Sequence, residues 1–146
     1  MAADAWVVYD QFMLEKSNGT QDLDSDSFSV ILMTNGYTPN SASDTTYAGI
    51  NSNEVGSANG YSSGGIASTA TLTKTAGNIN FTLANVQWTA SGGSIVSRFA
   101  VIRNTTTGGI VAYSLLDNTP ADVTVTDGNT LSLDIATNTV YDETRV

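Results

Sequence analysis

Apolar and polar residues alternate through much of the second half of the chain. Ile79, Phe81 and Leu83 lie two residues apart, and a second alternating stretch includes Trp88. A period of two places such side chains on one face of a β-strand. Strand signals recur at spacings of roughly 8 to 12 residues, which is typical of sandwiches and small barrels. The pattern predicts a mainly β fold, an antiparallel β-sandwich or barrel-like domain, with residues 66–137 as its main strand region.

The clearest hairpin signal lies near the C-terminus. Val123 and Val125 alternate with threonines, and the alternation resumes at Leu131. Between them stands Asp127-Gly128, a dipeptide that favours a tight turn between antiparallel strands. We therefore predict that the strands on either side of this turn form a hairpin.

Two continuous apolar runs predict buried strands. They are residues 28–33 and residues 95–103. Short apolar runs of this kind are typical of strands that are covered on both faces. Each run is predicted to form one central strand, whereas the tail after Asn138 is predicted to fray.

The N-terminal residues follow a helical period instead. Tyr9 and Phe12 fall on one face of a helix, Asp4 is a suitable N-cap, and Gly19 is a suitable stop. The pattern predicts a short helix over residues 4–16. Because a helix of this length is marginal alone, we expect it to dock on the rest of the protein.

Residues 36–65, called the long segment below, are the least regular part of the chain. Gly, Ser, Asn and Thr dominate it, and only a brief helical turn around residues 47–52 is suggested. A loop of this length in a small domain is usually functional or mobile. No linker or internal repeat divides the chain, so a single β-rich domain is predicted over residues 1–146.

Composition and charge narrow the classes of partner. Thr, Ser and Asn make up about a third of the chain, which suits strands with one wet face and the turns between them. The formal net charge is −9, and the five Lys and Arg residues are scattered. A nucleic-acid-binding surface needs a basic stripe, so no nucleic-acid partner is predicted. No apolar stretch approaches the ~20 residues that span a bilayer, so no membrane partner is predicted either.

The chain offers little catalytic chemistry. It contains no histidine and no cysteine, which removes two versatile catalytic side chains and the usual zinc ligands. A Ser/Lys or carboxylate-pair enzyme stays formally open, but no nucleophile elbow or phosphate-binding glycine loop supports one. We predict a protein that is not an enzyme, with no catalytic residue and no cofactor.

One acidic cluster has the opening spacing of a calcium loop. Asp22, Asp24 and Asp26 match the first three ligand positions. The sixth position is Ser27 instead of Gly, and the twelfth is Met33 instead of Glu. The aspartates are therefore interpreted as turn formers, and no metal site is predicted.

Five residues are candidates for partner contact. Arg98 and Arg103 lie in or beside a predicted central strand, where each is expected to pair with a nearby carboxylate or cap a sheet edge. The alternative is a salt bridge to a partner subunit. Tyr37, Tyr47 and Tyr61 lie in the long segment, where they suit either a protein interface or an aromatic platform for glycans.

Several stretches follow one another along the chain: the N-terminal helix with its Asn-Gly stop, and then residues 23–34, 53–65, 86–90, 95–102 and 110–117. In this order they resemble a widespread family of small structural proteins of tailed bacteriophages, encoded among virion genes. These stretches span nearly the whole chain.

The resemblance implies an auxiliary head protein. Such decoration or cement proteins sit on the capsid surface of the virion, bind the major capsid protein and brace neighbouring capsomers, often as homo-oligomers and in particular trimers. The protein would be made in the host cytoplasm. A tail or neck component is the alternative within the family, and a glycan- or surface-binding β module is the alternative from another class. The resemblance implies no catalytic or ligand-binding residues.

Overall fold

A computed structural model of the chain describes residues 2–119 and 121–145. As the alternation predicts, the protein is mainly β, with several antiparallel sheets arranged as a sandwich-like domain and a short helix near the N-terminus. No helix within the described part is long and apolar enough to cross a membrane. The helical elements are α1 (Asp10–Asn18), α2 (Tyr47–Ile50) and a 3-10 turn (Asn51–Asn53). The strands are β1 (Val7–Val8), β2 (Phe28–Met33), β3 (Ile66–Ser68), β4 (Ala70–Thr75), β5 (Asn78–Leu83), β6 (Val86–Thr89), β7 (Ile95–Ser97), β8 (Phe99–Asn104), β9 (Ile110–Leu115), β10 (Val123–Val125), β11 (Thr130–Leu133) and β12 (Tyr141–Thr144).

A five-stranded antiparallel sheet in the order β1-β9-β8-β2-β3 forms the centre of the domain. All six residues of β2 are buried. Since successive side chains of a strand point to opposite faces, this sheet is covered on both sides at β2. On one face the ring of Phe28 packs edge-on against Phe81 of β5. The other face carries Ile31 and Phe99 and is covered by the long segment, since Tyr37 packs against Phe99.

The remaining strands form three smaller antiparallel sheets. These are the pairs β10-β7 and β11-β6 and the three-stranded sheet β12-β5-β4. Strand β4 is an edge of its sheet, and five of its six residues are exposed. The domain therefore combines a well-covered central sheet with an exposed peripheral one.

The predicted helix begins later than residues 4–16. Strand β1 pairs with β9, with Val7 opposite Tyr113, and the N–H of Tyr9 donates to the carbonyl of Val111. These backbone bonds hold the first residues in an extended conformation, so α1 starts at Asp10 and Asp4 is not its N-cap. The predicted stop is correct: Gly19 has a left-handed φ of 81° and caps the helix.

The predicted single strand over residues 95–103 is broken into two. The chain bends at Arg98, so β7 pairs with β10 while β8 joins the central sheet. The bend is fixed because the N–H of Arg98 donates to the carbonyl of Met33, while its own carbonyl accepts from Leu116. An apolar run cannot reveal such a change of sheet.

The predicted hairpin around Asp127-Gly128 is wrong in its pairing. A turn does form there, but β10 pairs with β7 and β11 pairs with β6. The N–H of Gly128 donates to the carbonyl of Ala90, and the Asp127 carboxylate accepts from the N–H of Gly92. These bonds attach the turn to the loop at residues 90–93, and the chain passes from one sheet to another.

The tail after Asn138 does not fray as predicted. Residues Tyr141–Thr144 form β12, which pairs with β5 along its length. The ring of Tyr141 packs edge-on against Phe12 of α1 at 5.5 Å between centroids. The side chain of Lys16 on the same helix binds Glu143 at 2.6 Å. Contacts with the N-terminal helix thus order the C-terminal strand.

Candidate partner-binding surface

Arg98, one of the two candidate arginines, is engaged within the chain. Its Nε donates to Oδ1 of Asp122 at 2.7 Å, and the amide of Asn35 donates to the other carboxylate oxygen at 2.9 Å. Both partners of the ion pair are partly exposed, so the pair adds little to stability. Arg98 is therefore paired with a nearby carboxylate, the first of the two roles expected for it.

Arg103, in contrast, makes no ion pair within 4.0 Å among the described residues. Its guanidinium carbon lies 3.9 Å from the ring centroid of Tyr47, which is a cation–π contact. Its Nε is buried without a hydrogen-bond partner. Arg103 thus packs α2 against β8, and the structure does not bring the two arginines together at one site.

The carboxylate of Glu54 is the centre of the most connected polar cluster in the long segment. Oε2 accepts from the hydroxyl of Tyr47 at 2.6 Å. Oε1 accepts from the hydroxyl of Tyr61 and from the N–H of Gly64, each at 2.6 Å. Charge-assisted bonds of this kind are about twice as strong as neutral ones. Glu54 therefore joins both ends of the segment from residue 47 to residue 64.

Tyr61 extends this cluster to the backbone of the central sheet. Its hydroxyl accepts from the buried N–H of Leu32 in β2 at 3.0 Å while it donates to Glu54. Strand β3 pairs only with residues 28–30 of β2, and Val55 donates to the carbonyl of Leu32 farther along. The hydroxyl of Tyr61 thus takes the place of a strand partner at Leu32. Burial, followed by the bond to Glu54, raises the pKa of Tyr61 above its ordinary value.

A second buried chain of hydroxyls fixes the start of the long segment. The Tyr37 hydroxyl donates to Oδ2 of Asp44 at 2.8 Å and lies 2.6 Å from the hydroxyl of Tyr9. Since the proton of Tyr37 is directed at Asp44, Tyr9 donates to Tyr37. Burial is the main cause that raises the pKa of both tyrosines. The N-terminal strand, α1 and the long segment are therefore joined through one carboxylate.

The expected tyrosine platform is not present. Tyr37 and Tyr61 are only 4% and 3% exposed, and Tyr47 is half-buried under Arg103. Their rings belong to the core and their hydroxyls to the Glu54 and Asp44 clusters. The predicted role of Tyr37 and Tyr61 as partner contacts is therefore corrected, because a ring inside the domain cannot contact a glycan or another protein.

The exposed large apolar side chains lie elsewhere. Met13 and Leu14 on α1 are 50% and 58% exposed. The others in the described residues are Val7, Leu72 and Val96, on strands β1, β4 and β7. None of them was among the candidate contact residues, because their positions in the sequence look like core positions.

A cleft of about 480 Å³ lies between the N-terminal segment and the end of β11. The half-buried ring of Trp6 lines it together with Asp4, Asp134 and Asn138. An aromatic face beside polar groups is a common arrangement for small polar ligands. Trp6 was not among the candidate contact residues.

The aspartates at residues 22–26 form a hydrogen-bonded turn. Oδ1 of Asp22 accepts from the N–H of Asp24, and this backbone bond lowers the pKa of Asp22. Oδ2 of Asp26 accepts from the N–H of Asp22 and from the buried amide of Asn104 at 2.6 Å. Within residues 2–119 and 121–145, no group of three His, Cys, Asp or Glu side chains is placed to hold a metal ion.

The residues that sequence reasoning missed are Asp44 and Glu54. They are the only acids in the long segment. Each lies seven residues from the tyrosine it binds: Tyr37 to Asp44, Tyr47 to Glu54, and Glu54 to Tyr61. That repeated spacing was visible in the sequence, although spacing alone does not show that the residues meet.

The comparisons leave the family of the chain open. Neither a protein-family model, nor a curated protein, nor a solved structure matches the chain.

Proposed function

We propose that this chain is a non-enzymatic structural protein of a tailed-bacteriophage virion, and specifically a decoration protein that binds and braces the assembled head. The observation that carries the proposal is the way in which the long segment is bonded to the rest of the fold. Two part-buried tyrosine–carboxylate clusters, at Asp44 and at Glu54, hold it on the central sheet. A segment used for induced fit or for closing over a substrate would need low local stability instead.

The composition supports the same role. A chain with no His and no Cys carries few groups for acid–base or nucleophilic chemistry. What remains is an acidic, Thr- and Ser-rich chain, which suits repeated contacts among many identical subunits. Many weak contacts on one shell add up through avidity, so no single contact has to be strong.

The partner in this proposal is the major capsid protein, and the site of action is the capsid surface. The chain would be made in the host cytoplasm. It would act as a homo-oligomer on the capsid surface. The resemblance to the phage family and the hydrogen bonds that hold the long segment are the two supports. The same fold would suit a tail or neck protein equally well. The experiment therefore has to distinguish a location on the head from one in the tail or neck.

Quantitative mass spectrometry of purified virions tests the proposal. A copy number comparable to that of the major capsid protein is the expected result. A few copies per particle would move the chain to the tail or neck, and its absence from virions would overturn the virion role. Rebinding of the purified chain to shells that lack it, followed by sedimentation, is the matching control for specific attachment.

The Trp6 cleft supports one alternative function, the binding of a glycan. An aromatic face flanked by carboxylate and amide groups suits a sugar ring better than the buried tyrosines do. A glycan array tests this alternative. Binding that is lost in Trp6→Ala but kept in Tyr47→Ala would favour it, and no binding by the wild-type chain would exclude it.

A further inference from the structure

Strand β4 is an edge strand with free backbone groups. Within the described chain it pairs with β5 on one side only, and residues 71–75 are all exposed. The hairpin turn that joins β4 to β5 has positive φ at both central residues, Ala76 and Gly77. Such a two-residue turn fixes the register of the two strands.

The register determines which backbone groups point outward. The N–H of Ala84 donates to the carbonyl of Thr69, just before β4, which marks a hydrogen-bonded pair. Hydrogen-bonded pairs alternate along an antiparallel ladder, so alternate residues from Thr71 onward bond to β5. The N–H and C=O groups of Ala70, Leu72 and Lys74 therefore point away from β5, to the free edge.

The two ends of this edge carry side chains of opposite charge. Leu72, in the middle, is a large apolar side chain that is 39% exposed. Asp24 lines one cleft with Ala70 and another with Leu72, so an acid lies beside the start of β4. Lys74 lies at the other end, exposed and without an ion pair in the described chain.

We propose that two copies of this chain pair through β4, antiparallel, around a two-fold axis at Leu72. Only a register with Leu72 opposite Leu72 pairs all three outward residues of both copies. Ala70 of one copy then lies opposite Lys74 of the other. The two three-stranded sheets become one continuous sheet, and the edge is closed.

The same register satisfies the side chains. The two Leu72 side chains meet at the axis and leave water. Lys74 of each copy comes to the Ala70 end of the other, which is the end that carries Asp24. Two-fold symmetry makes this contact twice. A lysine on an edge often prevents such pairing, but here the second copy supplies an acid at the position that the lysine reaches.

The dimer is independent of the virion role, because it is a property of the purified chain. It also differs from the trimer that the family resemblance favours. A two-fold contact cannot close a ring of three, so the oligomeric state in solution decides between them.

Sedimentation equilibrium of the full chain, with charge-reversal variants, tests the proposal. We expect a dimer whose dissociation constant rises at least about tenfold in Lys74→Glu and in Asp24→Lys. The double variant should recover the dimer, because the contact is restored with reversed sign. Thr71→Lys is the matched control, since its side chain lies on the opposite face of β4 and should change the dissociation constant little.

Hydrogen exchange supplies a second readout. The amides of Ala70, Leu72 and Lys74 should become protected as the concentration rises, whereas Leu72→Pro should abolish association without breaking the ladder to β5. A monomer throughout the micromolar range would overturn the proposal. So would a trimer as the only oligomer, or a dimer that neither Leu72→Pro nor the charge reversals affect.

Discussion

The long segment and the β4–β5 hairpin reverse the usual relation between regularity and order. The long segment has no strand, yet two of its three tyrosines are buried and its backbone is bonded to β2. The hairpin is regular, with a full antiparallel register, yet β4 is exposed along most of its length. Regular hydrogen bonding therefore says less about how firmly a region is held than the burial of its side chains does.

The two regions also differ in whether their charged side chains have partners within the chain. In the long segment, each of the two carboxylates accepts hydrogen bonds from buried or half-buried tyrosine hydroxyls. At the exposed sheet, Lys74 and Arg145 carry charges that no carboxylate of the described residues neutralises within 4.0 Å. The first arrangement stabilises the fold from within, and the second leaves charge available at the surface.

Among the substitutions that test this comparison, the one at Gly65 should have the largest effect on stability. A Cβ there would overlap the carbonyl oxygen of Val30, and the backbone has a left-handed φ of +72°. Gly65→Ala should lower the free energy of unfolding by about 4 kcal/mol or more, because both strain and overlap oppose folding. Urea denaturation measures the change.

Gly64 is a matched control for this substitution. Its φ is +97°, but a Cβ there would meet nothing within 4 Å. Gly64→Ala should cost only about 1–2 kcal/mol from backbone strain. Equal losses in the two variants would mean that the long segment is not packed closely on β2.

Removal of the Tyr61 hydroxyl is the next largest test. Tyr61→Phe leaves the buried N–H of Leu32 without its acceptor, so it should cost about 2–3 kcal/mol. Tyr47→Phe removes one bond to Glu54 at a half-exposed position and should cost about 0.5–1.5 kcal/mol. Equal costs in denaturant titrations would show that Tyr61 does not complete the sheet at Leu32.

Local pattern predicted the strands better than it predicted their partners. The run at residues 28–33 and the alternation at residues 78–83 correspond to β2 and β5. Pairing depends on contacts far apart in sequence, and so the hairpin prediction at Asp127-Gly128 failed. The turn is local, but the strands it joins find β7 and β6 instead.

The candidate site shows the same limit. The tyrosines of the long segment were singled out as partner contacts, but Tyr37 and Tyr61 are buried and bind Asp44 and Glu54. The apolar exposure of Leu14 could not be predicted, since an apolar residue in a short helix usually faces the core. Chemical type could be read from the sequence, whereas exposure required the fold.

Alkaline pH should lower the stability of the folded chain through its buried tyrosines. Burial raises the pKa of Tyr37 and of Tyr61 above the ordinary value near 10. Above pH 10 these tyrosines ionise in the unfolded chain and stay protonated in the folded one, so the unfolded chain binds fewer protons and stability falls. Each should contribute a loss of about 1.4 kcal/mol at pH 11.

Tyr61→Phe isolates this contribution. The variant should lose stability between pH 9 and pH 11 less steeply than the wild type, by about one tyrosine's share. Tyr113→Phe serves as the comparison, because Tyr113 is only partly buried. A slope in Tyr61→Phe that equals the wild-type slope would contradict the role of burial at this position.

The smallest expected effect lies at the exposed sheet, in the ion pair between Lys16 and Glu143. The bond to Lys16 lowers the pKa of Glu143, and the same bond raises the pKa of Lys16. The lowered pKa of Glu143 gives stability that is present above the ordinary carboxylate range near pH 4.3 and is lost as pH falls through the folded value. The raised pKa of Lys16 gives stability that is present below about pH 10.4 and is lost as pH rises further.

Glu143→Gln should therefore be slightly less stable than the wild type only between these limits, with a difference that added salt reduces. Asp142→Asn, on the neighbouring exposed residue without an ion pair in the described chain, should show no such window in thermal unfolding. No loss of stability in Glu143→Gln at any pH would instead mean that β12 is held to α1 by the packing of Tyr141 on Phe12, and that the charge pair adds nothing.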